Sequence, residues 1–144
     1  MKASDADGTL VRSQVEGRVL RAGRAAAMIK AGLPVGEFDD LRETLGLTVD
    51  GLAAKIGVSI ATLSRRRRRG LPLDTGQSDR LLRFARLFRL AVELHDGDSD
   101  AARLWLNSPA RALDGETPLT HAETEAGARE VEILIGRLEH GVYT

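Results

Sequence analysis

Five consecutive arginines, Arg65 to Arg69, close the segment TVDGLAAKIGVSIATLSRRRRRG, Thr48 to Gly70. Guanidinium groups grip phosphate oxygens through paired, planar hydrogen bonds. A helix end needs only one or two cations to offset its dipole, and five adjacent like charges repel one another. The run therefore points to an anionic partner ahead of a merely solvated helix end. The residues before it supply an element that would aim these cations. Leu52 and Ala53 share one helix, Gly57 permits a sharp turn, and Val58 packs behind it. Ser59 can cap the next helix, and Ile60 and Leu63 return to the core. This is helix-turn-helix spacing, in which the front of the second helix meets base edges and positions further along it meet phosphates. Ser59, Ala61, Thr62 and Ser64 are placed nearest the bases. Arg65, Arg66 and Arg68 are placed on phosphates, with Arg65 also within reach of a guanine.

The net charge of the 144 residues is zero, yet the charge is segregated. Residues 59–90 carry nine basic and two acidic side chains, whereas residues 91–144 carry four basic and eleven acidic ones. A basic middle suits a polyanion, and the acidic end must face away from it or bind something else. Hydrophobic residues make up 42% of the chain, enough for a core. Aromatics at 3% argue against a base-stacking RNA surface. With no cysteine, there is neither a disulfide framework nor a thiolate metal site, which fits a reducing cytoplasm. His95, His121 and His140 are too far apart in sequence to form a ligand motif, so no metal or cofactor is expected. No apolar run reaches the roughly 20 residues of a membrane span, and MKASDADGTL is too acidic and polar for a secretory signal.

The remaining chain reads as all-α. Residues 1–13 suggest a flexible start, and a helix is expected over Gln14 to Ala31, ended by Gly32-Leu33-Pro34. A second covers Gly36 to Leu45 with Phe38, Leu41 and Leu45 inward. Gly70-Leu71-Pro72 ends the helix-turn-helix. A long helix over Gln77 to His95 is apolar across a wide arc that includes Leu81, Phe84 and Phe88, so it packs between two layers or forms a dimer seam. Its Arg80, Arg83 and Arg86 extend the basic face. Asp96-Gly97-Asp98 is a turn without the ligand series of a calcium loop. Ser99 caps a short helix through Trp105. Thr117-Pro118 starts another, and Thr124 caps the last, Glu125 to His140, with Val131, Leu134, Ile135 and Leu138 inward. Gly141 stops it. The domains are residues 1–31, an N-terminal helical arm; 32–90, the helix-turn-helix domain; and 91–144, a second helical domain with a tail.

Several stretches together resemble one family. Gly32-Leu33-Pro34, LGLTVDGLAAKIGVSIATLSRRRRRG (45–70), SDRLLRFARLF (78–88), AARLWLNSPARALDGETPL (101–119) and TEAGAREVEILIGRLEHGVY (124–143) are similar to the Xre/MbcA/ParS-type antitoxins, which pair with RES-domain toxins. The similarity covers most of the chain beyond residue 30. It implies an Xre-like DNA-binding region followed by a small helical toxin-binding domain. It also implies neutralisation of a toxin that consumes NAD or modifies a protein with it, and binding to the operator of the chain's own operon.

The resemblance further implies that the C-terminal end reaches the toxin's active-site cleft: Arg137, Glu139, His140, Gly141, Val142 and Tyr143. By itself an apolar Val-Tyr tail leaves fraying and docking both open. Trp105, Pro109, Leu113 and Leu119 read as internal packing. The sequence departs from the family pattern at His121-Ala122, where two apolar residues are usual, which puts the packing of that helix in question. It departs again at Gln77, where a glutamate is common and the change should matter little. His121 and Glu125 have neither a pocket nor a third group for acid–base catalysis, so no catalytic residue is assigned and the chain is not expected to be an enzyme.

The expectation is a cytoplasmic antitoxin and autorepressor with two partners, a RES-domain toxin and operator DNA. It is also expected to be a homodimer, because one helix-turn-helix reads only a half-site. The alternative is a stand-alone dimeric regulator whose residues 91–144 dimerise or sense a ligand.

Overall fold

The computed structural model describes residues 9–18 and 23–141. Among them every regular element is helical, as the pattern of the sequence requires. Two compact units divide between Ala85 and Arg86.

In the first unit, α1 (Leu10–Val15) and α2 (Arg24–Ala31) stand where one helix over Gln14 to Ala31 was expected. Gly17 and Gly23 both have positive φ, 72° and 80°, which a continuous helix cannot accommodate. Nor do residues 10–13 belong to a flexible start, since Leu10 and Val11 are buried. They are held by α3 (Val35–Leu45). Glu37, 3% exposed, accepts hydrogen bonds from the backbone N–H of Leu10 and of Val11, both at 2.8 Å. One carboxylate thereby satisfies two of the donors that a helix start leaves open. Burial pushes the Glu37 pKa above its ordinary value, opposed by those same two N–H groups. Beside it the Thr9 hydroxyl donates to Asp40 at 2.6 Å.

The unit continues with α4 (Val49–Ile56) and α5 (Ile60–Arg69), each capped on its N-terminal side by a hydroxyl. Thr48 Oγ1 accepts from the Gly51 N–H and Ser59 Oγ from the Thr62 N–H. Gly57, at φ 79°, turns the chain between them. Phe38, Leu41, Leu45, Leu52, Ile56 and Leu63 fill the core. Two Gly-Leu-Pro turns meet here: the Leu73 N–H donates to the Leu33 carbonyl at 2.9 Å, and the Leu33 N–H donates to the buried Ser78 hydroxyl.

The helix α6 (Thr75–Leu94) runs from one unit into the next. Most of its apolar arc is used inside the chain: Phe84 is buried and Phe88 only 3% exposed, while Val92 is half-buried. Phe84 and Phe88 therefore offer no free apolar surface for the dimer seam that the arc suggested.

The second unit adds α7 (Ser99–Leu106), a 3-10 turn at Arg111–Leu113, α8 (Pro118–His121) and α9 (Glu125–Glu139). The cap of α7 is Asp98, whose carboxylate accepts from the Ala101 N–H, and not Ser99, which is already helical. Thr117 and Thr124 cap α8 and α9 as expected. Leu113 and Leu119 are buried and Trp105 is half-buried, its ring 6.3 Å from that of His95. Pro109 is exposed instead of packed, since it stands in the turn beyond the last residue of α7.

Candidate functional site

The outward face of α5 is built by helical geometry. Steps of about 100° per residue put Ile60, Leu63, Arg66 and Arg67 on the inner side and Ala61, Ser64, Arg65, Arg68 and Arg69 on the outer arc. Exposure follows that division for all except Arg67, whose long side chain reaches back along the surface, and Ile60. Ser59 is exposed at the cap and Thr62 half-buried beside it, the Ser59 hydroxyl donating to Thr62 Oγ1 at 2.9 Å.

Ile60 is the departure from expectation. It is 42% exposed, while Leu63 is 3% exposed. As the first residue of α5 it lies a turn ahead of Leu63 and about 60° around the helix, with Val58 already covering the core there.

The five arginines divide into two groups. Arg67 pairs with Asp39 through both nitrogens, at 2.8 and 3.0 Å. Arg66 Nη1 donates to Gln77 Oε1 at 2.6 Å. The side chains of Arg65, Arg68 and Arg69 are exposed and make no hydrogen bond or ion pair among the described residues.

Gln77 is more consequential than its sequence position suggested. It is buried, and its Oε1 accepts from Arg66 and from the Asp74 N–H, while its Nε2 donates to the Gly57 carbonyl at 3.2 Å. The amide thus ties α5, the helix-turn-helix turn and the start of α6 together. A carboxylate could accept from Arg66 but could not donate to Gly57.

The arginines of α6 do not extend the basic face. Arg80 donates to the Ile56 carbonyl at 2.8 Å and closes the end of α4. Arg83 is buried and lies 3.4 Å from Asp79, and Arg86 binds Glu132 at 2.7 Å. Three-residue spacing drifts by about 60° per step, so these side chains do not share one face.

At the other end of the chain, Arg137 lines a cleft of about 320 Å³ with Ala112, Leu113, Glu130, Ile133 and Leu134. Ile133 is 52% exposed there, an apolar side chain in water that sequence reading had not singled out. It lies about 100° from Leu134 and 200° from Val131 on the helix wheel, off the inward stripe. Glu139, His140 and Gly141 are exposed at the end of α9, where His140 Nδ1 lies 2.7 Å from the Gly136 carbonyl. Val142 and Tyr143 lie outside the described residues.

Behind the cleft, His121 stands between two carboxylates, Nδ1 2.7 Å from Glu116 and Nε2 2.6 Å from Glu130. Both ring nitrogens can donate only in the imidazolium, and the hydrogen bonds that Glu130 and then Glu116 accept hold its pKa above the ordinary value. The His121-Ala122 departure thus packs well: the histidine clamps α8 to α9 and Ala122 is buried. Glu125 is not its partner. The two carboxylates occupy opposite nitrogens, and no group of three potential ligands among the described residues could hold a metal ion. No described helix is long and apolar enough to cross a membrane.

Comparison with known families divides the chain at the same place as its geometry. Residues 24–86 match the antitoxin Xre-like helix-turn-helix domain, and residues 90–141 match the antitoxin Xre/MbcA/ParS C-terminal toxin-binding domain. An antitoxin Xre of Yersinia enterocolitica is 35% identical over 116 residues, 81% of this chain and 78% of its own length. The chain belongs to the Xre/MbcA/ParS-type antitoxin family. An antitoxin Xre of Photorhabdus laumondii subsp. laumondii shows the same 35% identity over 116 residues. One of Pseudomonas putida is 32% identical over 84 residues, 58% of this chain and 52% of its own length. In this antitoxin, α2 to the first half of α6 form the helix-turn-helix domain, and α7 to α9 lie in the toxin-binding domain. Helix α1 precedes both matched regions, so the Glu37 anchor joins this chain's own N-terminal arm to the family fold.

Proposed function

We propose that this antitoxin neutralises a RES-domain toxin through its C-terminal end and represses its own operon through α5. The observation that carries the reading is the division of labour along one chain. Three arginines without internal partners face outward on the helix-turn-helix, and a separate acidic domain of the toxin-binding type presents an apolar cleft. Arg65, Arg68 and Arg69 hold phosphates, and Ser59, Ala61, Thr62 and Ser64 face the bases. Arg66, engaged with Gln77, holds α5 in place and reaches a phosphate only with its remaining donors. Arg137, Ile133 and the cleft they line seat the toxin, and residues 139–143 enter its active site. Inhibition is steric, and the antitoxin contributes no catalytic group. Two copies bind a two-fold operator with half-sites about 34 Å apart. A stand-alone regulator is the weaker reading, since the C-terminal match is to a toxin-binding domain.

The test is co-expression with the neighbouring open reading frame, following growth and cellular NAD. Rescue by the full chain, lost on deleting residues 139–144 and on Ile133→Asp in a folded protein, supports the reading. A harmless neighbour that does not co-purify overturns it.

A further inference from the structure

The front of α5 has a composition that hydrogen-bond readout alone does not explain. Ile60, Ala61 and Ser64 are exposed ahead of Arg65, Arg68 and Arg69, so small or apolar side chains lead and cations follow. Ile60 has 42% of its surface in water although an inward turn was open to its sequence position. It is β-branched and therefore rotationally stiff, and the Ser59 cap fixes the backbone on which it stands. Ile60, Ser64 and Arg68 follow one another at four-residue intervals, so a surface that receives the isoleucine also meets the arginine two turns behind it.

Such a surface must be anionic at its margin and offer an apolar group within. A protein partner would bury the three arginines against a matching acidic surface. The major groove of DNA supplies both features, phosphates along its walls and the 5-methyl group of thymine on its floor. That methyl is the apolar group among the base edges exposed there. The neighbours Ala61 and Ser64 are too short to keep Ile60 away from it.

We propose that Ile60 reads sequence by packing against the 5-methyl group of a thymine in each operator half-site. This rests on the operator-binding reading above and adds a residue that the sequence had assigned to the core.

Replacing thymine by deoxyuridine deletes only the methyl, which permits a direct test. The full-length chain first selects duplexes from a randomised pool, and each thymine of the enriched duplex is then replaced in turn by deoxyuridine. One thymine per half-site is expected to cost the native chain about fourfold in affinity, the worth of roughly one buried methyl group. The same replacement should cost Ile60→Ala nothing. Deoxyuridine without effect at every position, or an equal penalty in Ile60→Ala, overturns the assignment while leaving operator binding intact. Failure of the pool to enrich any sequence overturns the operator reading and this inference with it. The measurement on the native chain needs no variant, so folding of Ile60→Ala does not limit it.

Discussion

Arg67 meets Asp39 through two parallel hydrogen bonds, 2.8 and 3.0 Å long, that fasten α5 to α3. The middle member of the five-arginine run therefore serves the fold, while Arg65, Arg68 and Arg69 face solvent. Arg65→Ala and Arg68→Ala should each lower the slope of log affinity against log salt by about 1. Arg67→Ala should leave that slope unchanged and cost at most about 1 kcal/mol of stability, since the pair is half exposed. Titrations of an upstream-promoter duplex across a salt series, with urea unfolding of the same proteins, separate the two effects. A drop in slope for Arg67→Ala equal to that for Arg65→Ala would put Arg67 on a phosphate.

Gln77 should prove more sensitive than its surface-like sequence context suggests. Gln77→Leu strands a donor of Arg66, the Asp74 N–H and the Gly57 carbonyl, a loss of about 1 to 3 kcal/mol per buried group left unpaired. Gln77→Glu keeps the acceptor for Arg66 and for the Asp74 N–H but turns an oxygen toward the Gly57 carbonyl, so it should lose stability too, by less than the leucine. Urea midpoints of the three proteins give the order; a leucine variant as stable as the parent would make the hub incidental.

The distinction between what the sequence revealed and what it hid follows from the range of the interactions. The spans of α3 to α7 and of α9 were legible because apolar periodicity, hydroxyl caps and glycine stops are local signals. The roles of Arg66, Arg67, Arg80, Arg83 and Arg86 were not, because their partners are set by how helices pack. Arg67 and Asp39 stand 28 residues apart, and Arg86 and Glu132 stand 46 apart. Leu10 and Val11 were missed for the same reason: their burial depends on Glu37, whose acidic character reads as surface. Ile60 was misplaced because an isoleucine near a turn defaults to the core. The residues expected to face a toxin entered through family resemblance, while Ile133 and its cleft became visible only in three dimensions.

Gly127 admits no side chain. It lies in the first turn of α9, and a Cβ there would run into the backbone carbonyl of His121. Backbone cannot yield as a flexible side chain can, so Gly127→Ala should destabilise the second unit by about 3 kcal/mol or more despite alanine's better helix propensity. Gly136→Ala, with open space around its Cβ, should be neutral or stabilising. Thermal unfolding of the two variants compares the same substitution twice on one helix. Equal behaviour would mean that α8 moves aside freely.

The clamp of His121 between Glu116 and Glu130 gives the second unit a pH dependence of known sign. Its pKa is raised in the folded state above the ordinary 6.5, because both carboxylates favour the imidazolium. A group of that kind contributes stability that is complete below the unfolded value and is lost as pH rises through the folded one. The second unit should therefore weaken as pH climbs from about 6.5 upward, while the clamp changes little below that. His121→Leu, which removes the titrating group and restores an apolar residue at this position, should flatten that limb. It should also lower stability at acidic pH, where Glu116 and Glu130 lose their shared cation. Unfolding midpoints followed through Trp105 fluorescence, taken from pH 5 to 9 on both proteins, test the sign directly. Native stability that rises across the upper half of that range would contradict a charged clamp, and an unchanged profile in His121→Leu would assign the dependence to other groups.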